Sequence, residues 1–283
     1  MTRLLKKAFD FFVFSSLFIA FCAIFMVYQT DLLFDLQPSF KILGFVFSGT
    51  VCSYNFHWYL TPPNVGGPTE KVIWNIKNKQ LHLILFFIGL SGSFIFSILL
   101  IHQWFWLGVT AFVTFLYSAP KIPYPLFTHL RKIAVGKTIF LAFSWTHVTA
   151  LLPMVIEDPV LSDSQIWFVV NRFFFIYAIC ILFDYRDRES DKNDQIRSLI
   201  TMLNEKGIDI LFWGTIAVFF ITLLLLIPLM DIGLIGALAL PGLLLCFLYY
   251  PSKNNSSDYL YYFVLDGFMM LSAPLVVLFK FVR

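Results

Sequence analysis

The sequence predicts an all-α fold, a multi-pass transmembrane bundle of about nine helices. Three observations carry this. Of 283 residues, 59% are hydrophobic and 13% charged, about half the charged share of an ordinary soluble domain. Mean hydropathy is +0.80, and a soluble chain of this length has too much surface to cover with so few charges. The apolar residues also come in long unbroken runs, not in the weak alternation of a transmembrane barrel. A soluble enzyme, a secreted disulfide scaffold and a disordered chain are excluded. With 20 basic residues against 17 acidic and no extended basic patch, the expected partner is a lipid bilayer and no nucleic acid.

A helix needs about 20 apolar residues to cross the bilayer core. Arg3, Lys6 and Lys7 precede the first run, 9–29. It is too long for a signal-peptide core and no small-residue cleavage site follows, so it reads as a span. The second and third runs are 39–59 and 81–101. The fourth, 104–118, is short and closely joined to the third. The fifth and sixth are 133–156 and 165–185, and the last three are 209–229, 232–250 and 259–280. The only long polar stretches are about 60–80 and 186–208. No repeat or low-complexity segment divides the chain, so residues 1–283 read as a single membrane domain. Cys22, Cys52, Cys180 and Cys246 all lie inside apolar runs, without CxxC or metal-ligand spacing, and read as small buried hydrophobes.

Charge sets the expected orientation. With a cytoplasmic N-terminus and nine spans, 16 of the 20 basic residues fall on the cytoplasmic side. Lys41, Arg172, Lys280 and Arg283 fall opposite, where the loops carry Asp31, Asp35, Glu157, Asp158, Asp163 and Asp231. That asymmetry follows the positive-inside rule. It predicts a cytoplasmic (cell) membrane location, a C-terminus on the far side, and a binding face on the cytoplasmic side with both long polar loops.

The most informative stretch follows the sixth run. Asp184, Asp187 and Asp191 recur at i, i+3 and i+7, which places them within roughly 60° of one another on a helix. Gln195 returns to that face and Glu189 points away. Asp184 begins at membrane depth, where an unpaired carboxylate is expensive. Such a stripe needs countercharge. Mg²⁺, a hard ion taking carboxylate, phosphate and water oxygens, supplies it well. The plainer alternative is a solvated helix end with local pairs such as Asp184 with Arg188.

With its run of Asp184-x-x-Asp187-x-x-x-Asp191 and Arg197-Ser198-Leu199, and with Tyr117-Ser118-Ala119-Pro120-Lys121 after the fourth run, the chain resembles the UbiA-type intramembrane prenyltransferases over essentially its whole length. The resemblance implies a nine-helix bundle with Asp-rich motifs after helices two and six. It also implies Mg²⁺ on Asp184, Asp187 and Asp191, and a polyprenyl diphosphate donor whose prenyl group passes to a lipophilic acceptor, aromatic or not. The catalytic set it implies is Asp184, Asp187, Asp191 and Lys121, with Tyr117, Arg188 and Arg197 as candidate substrate contacts.

The chain departs from the family pattern at the first motif. Where Asn-Asp-x-x-Asp is expected, it reads Asn55-Phe56-His57-Trp58-Tyr59. Asn55 is kept and both aspartates are replaced, so one metal cluster lacks anionic ligands. His57 is a candidate for a softer metal or a phosphate oxygen, or a packed helix-end histidine. Lys71, Lys77 and Lys79 follow; a Lys binds phosphate directly as a cation, but the positive-inside rule explains a basic rim equally well. Asp266 and His147, inside the ninth and fifth runs, are candidate substrate contacts or structural groups, Asp266 pairing with Arg172 or a tyrosine. Tyr259, Tyr261 and Tyr262 read as an interfacial aromatic belt. Two other functions stay open. One is a non-catalytic relative binding a prenyl lipid or a partner protein. The other is a transporter with Asp266 and Arg172 on an ion path, for which paired broken helices would be expected.

Overall fold

A computed structural model describes residues 3–61, 69–119, 122, 137–193 and 198–282, and these form helices joined by short turns, without a strand among them. The chain begins with α1 (Arg3–Phe14), α2 (Leu17–Leu33), α3 (Phe40–Leu60), α4 (Glu70–Lys77), α5 (Lys79–Leu99) and α6 (Trp104–Ser118). α7 (Lys137–Thr146) passes through a π turn (His147–Leu151) into α8 (Leu152–Glu157). Then come α9 (Asp163–Asn193), the single turn α10 (Leu199–Met202), α11 (Glu205–Leu226) and α12 (Ile232–Asn254). A second π turn (Leu260–Leu265) opens α13 (Asp266–Val282). The all-α membrane bundle is thus the fold, and every expected run carries a helix.

The count of spans is corrected. Six helices among the described residues are long and apolar enough to cross a membrane, or seven if α1 and α2 form one bent span. α3 has the length, but Ser48, Thr50, Ser53, Asn55 and His57 dilute its apolar character. α6 has only 15 residues.

The first run is not one helix. α1 and α2 meet at 57° across Ser15 and Ser16, with Ser16 in the left-handed region at φ 68. The break frees the Ser15 carbonyl, which would be costly in an apolar bundle. Asn55 of α3 donates to it at 3.1 Å. The π turn after α7 has a similar origin. Pro153 has no N–H to give Thr149, four residues back. The Thr30 hydroxyl of α2 donates to that carbonyl instead, at 2.7 Å.

α9 is the central helix. Its 31 residues span about 46 Å at 1.5 Å each, well beyond a hydrocarbon core of about 30 Å. It therefore carries Asp184–Asn193 past the end of the apolar run as one continuous helix. Phe168, Phe175, Ile176 and Ile179 bury its middle against α11 and α7. α2 lies along α13, and α3 lies along α5. Gly89 of α5 is required there: a Cβ would stand 2.5 Å from the Cys52 backbone nitrogen. The outer face of α5 presents Ile84, Phe87, Ile88, Phe94 and Ile95, a surface suited to lipid.

Candidate functional site

Side chains of α3, α4 and α9 meet on one ring, that of Tyr262, in the π turn before α13. Trp58, in the last turn of α3, packs edge-on to it with centroids 6.2 Å apart. Phe183 of α9 does the same at 5.7 Å. The Lys71 ammonium of α4 stands 3.4 Å from the Tyr262 centroid and 4.5 Å from that of Trp58. Arg186 of α9 donates from Nη2 to the Tyr262 hydroxyl at 2.7 Å. The π turn lets two successive tyrosines face inward: Tyr261 is fully buried and its hydroxyl donates to the Ser252 carbonyl at 2.9 Å. Tyr261 and Tyr262 are therefore packing and contact residues, not an interfacial belt.

Three carboxylates surround the two cations. Asp258 accepts the Lys71 backbone N–H at 2.7 Å and lies 3.8 Å from Arg186 Nη1. Asp187 accepts from Arg186 Nε at 2.8 Å. Asp266 is buried within electrostatic reach of Lys71 and Arg186. Burial lowers the pKa of Lys71, while Asp266 leads the acids acting against it. Buried Arg186 Nη1 still has no hydrogen-bond acceptor among the described residues. The cluster thus presents an ammonium held by aromatic faces and a guanidinium with a donor to spare. Both suit a phosphate oxygen.

Of the Asp stripe, Asp184 accepts from the buried Thr138 hydroxyl at the start of α7. Asp187 is half-exposed against Arg186, and Asp191 is buried. Arg188 does not pair with Asp184. It turns to Glu205 and to the Leu203 carbonyl, at 2.5 and 2.6 Å, tying the end of α9 to the start of α11. Lys253 joins the same network through Glu205 and Asp209, at 3.0 and 2.9 Å.

Asn55 is buried and engaged on both sides. Its amide N–H₂ donates to the Ser15 and Val51 carbonyls, at 3.1 and 2.8 Å, so its oxygen must accept from His82 Nδ1 at 2.7 Å. His82 Nε2 lies 3.0 Å from the Asn75 side chain. Turning the Asn75 amide, whose nitrogen otherwise lacks a partner, lets it donate to a neutral His82. His57 sits half-buried in the last turn of α3, its ring edge-on to Trp58. His147 lies in the first π turn, its Nε2 2.9 Å from the Thr110 hydroxyl. It borders an apolar cavity of about 250 Å³ with Phe143, Leu151, Val169, Phe173 and Phe174, nine residues along the chain from Thr138 and away from Tyr262. Tyr117 is in the last turn of α6. Lys121, Gln195 and Arg197 lie outside the described residues. Arg172 does not meet Asp266; it donates to Gln29 at 2.7 Å.

A divalent ion implied by the resemblance needs converging oxygen ligands. Among the described residues no three His, Cys, Asp or Glu side chains form such a group. Arg186 already lies against Asp187, and Asp184 is turned to Thr138. These side chains as placed do not fit a Mg²⁺ centre. Sequence reading missed Arg186, Asp258 and Tyr262. The available signal was the Asp258-x₃-Tyr262-x₃-Asp266 spacing at the same end of the bundle as the Asp stripe. No family model, curated protein or solved structure matches this chain.

Proposed function

We propose that the chain is a UbiA-type, prenyltransferase-like membrane protein that takes a polyprenyl diphosphate at its cytoplasmic mouth and passes the prenyl group to a lipophilic acceptor. The observation that supports it best is the convergence of α3, α4, α9 and the start of α13 on Tyr262. Two cations meet there, beside the end of the Asp-bearing helix. Lys71 and Arg186 would hold the diphosphate oxygens. The allylic carbon–oxygen bond breaks, the diphosphate leaves with the electron pair, and the two cations stabilise that charge. The acceptor then forms the new bond to the allylic carbon and releases a proton. The water-poor bundle protects the cation from hydrolysis.

The test is binding of a non-hydrolysable geranylgeranyl diphosphate analogue to the purified chain, with and without Mg²⁺. It is repeated in Lys71→Gln and in the triple variant Asp184→Asn, Asp187→Asn, Asp191→Asn. Binding that falls in Lys71→Gln supports the cation mouth. Binding that also requires Mg²⁺ and the aspartates restores a metal to the site. No binding under any condition overturns the reading. The second reading, a non-catalytic binder of prenyl lipids, is favoured by the engagement of Asp187 with Arg186. Binding without diphosphate release on presentation of acceptors would select it.

A further inference from the structure

A second cation lies deep in the bundle, away from Tyr262. Arg172 is on α9, 12 residues before Asp184, about 18 Å along the helix. It is 4% exposed. Its guanidinium stacks over Phe168 at 4.9 Å, and Nη2 donates to Gln29 Oε1 of α2 at 2.7 Å. Among the described residues no carboxylate pairs with it. Arg is always charged and donates from five N–H groups, so one amide oxygen is a poor match for a buried guanidinium.

Gln29 makes the shortage worse. Because Arg172 only donates, the Gln29 oxygen must face it, which fixes the amide orientation. Gln29 Nε2 then points elsewhere with its two protons, and this buried nitrogen has no acceptor among the described residues. The neighbouring polar groups bring no relief. The Thr30 hydroxyl is given to the Thr149 carbonyl, and the Asn171 amide to the Phe219 carbonyl and the Thr222 hydroxyl. The site is rich in donors and poor in acceptors. Among the described residues it lacks an anionic oxygen.

The surroundings select the source of that anion. The near end of the bundle is acidic on balance, with Glu157, Asp158 and Asp163 exposed, Asp31 buried below them, and Asp35 paired with Lys280 at 2.6 Å. This rim repels anions arriving from water. A carboxylic acid dissolved in the bilayer can enter as the neutral acid and ionise on meeting the guanidinium. A planar carboxylate also matches the Arg fork and leaves an oxygen for Gln29.

We propose that Arg172 and Gln29 bind the carboxylate of a long-chain carboxylic acid drawn from the membrane. The experiment uses the full chain in detergent and radiolabelled palmitate at about pH 8, where the acid is ionised in water. Expected is saturable binding that unlabelled palmitate displaces and that methyl palmitate, in about 100-fold excess, does not. Arg172→Gln should weaken binding at least about 30-fold, and Gln29→Leu about 5-fold. Equal displacement by the methyl ester overturns the proposal, because the chain alone would then be recognised. Displacement by millimolar chloride overturns it in favour of an inorganic anion site. Unchanged binding in the folded variants overturns it also. Should Arg172→Gln fail to fold, Gln29→Leu keeps the cation, and the acid-against-ester comparison on the unaltered chain still decides.

Discussion

Arg186 and Arg172 sit on the same helix, Arg172 buried and Arg186 nearly so, in opposite electrostatic settings. Arg186 has Asp187, Asp258 and the Tyr262 hydroxyl around it. Arg172 has a single amide oxygen. The first is a cation that the fold itself compensates, at a place where four helices meet. The second is a cation the fold tolerates without compensating. Arg186 is held by the fold and keeps one spare Nη1 donor for a ligand, whereas an uncompensated cation at depth has its charge as well as its donors left for an anion brought from outside.

The sharpest test of this contrast is stability. Arg186→Gln leaves Asp258 and Asp187 buried or half-buried without their cation, and should cost about 3–5 kcal/mol. Arg172→Gln removes a charge with no carboxylate partner, and should change stability by less than about 1 kcal/mol in either direction. Thermal unfolding of the two purified variants measures both; equal losses would erase the distinction. Asp258→Asn should fall between them, at about 2 kcal/mol, since the amide oxygen can keep the Lys71 backbone bond while the charge is lost.

Binding separates the two regions next. Lys71→Gln should weaken the diphosphate analogue about 10-fold, equivalent to about 1.4 kcal/mol, while Arg172→Gln leaves that affinity alone. Titration of analogue binding with both variants reads this directly. The smallest effect is in pH. Burial lowers the pKa of Lys71, so its charge is present at low pH and is lost, as pH rises, sooner than that of an exposed lysine. Analogue affinity should therefore drop a few-fold between about pH 6 and pH 9, beyond any change seen in Lys71→Gln. A flat profile would mean that Lys71 stays charged, held by Asp266 and Asp258.

The fold class was legible because the bilayer imposes it: a backbone in hydrocarbon must close its own hydrogen bonds, and long apolar runs do so as helices. Each expected run carries a helix within a few residues. The break at Ser15 and Ser16 was not legible, because its stabilising partner, Asn55, is 40 residues away. For the same reason Asn55 looked like a remnant of a ligand motif. The site was legible only in its general place. A polar residue in an apolar helix gives the same sequence signal whether it binds a ligand, pairs with a charge or receives an orphan carbonyl. Asn55 and Arg188 are engaged in packing and tethering, while Tyr262 read as part of an interfacial belt among its aromatic neighbours. α3 and α6 carry the expected helices but fall short of a span by length and composition alone, and depend on neighbours more than on their own hydropathy.

That dependence of α3 bears on how the chain is made. Its polar side is closed by α5 at the Gly89 contact and by the bond that His82 donates to Asn55. Alone, α3 would meet lipid with those groups bare. During synthesis it should therefore wait at the insertion machinery until α5 emerges, and the two should enter the bilayer together as a hairpin. Gly89 then matters before the protein has folded at all, as the point where one emerging helix recognises the other.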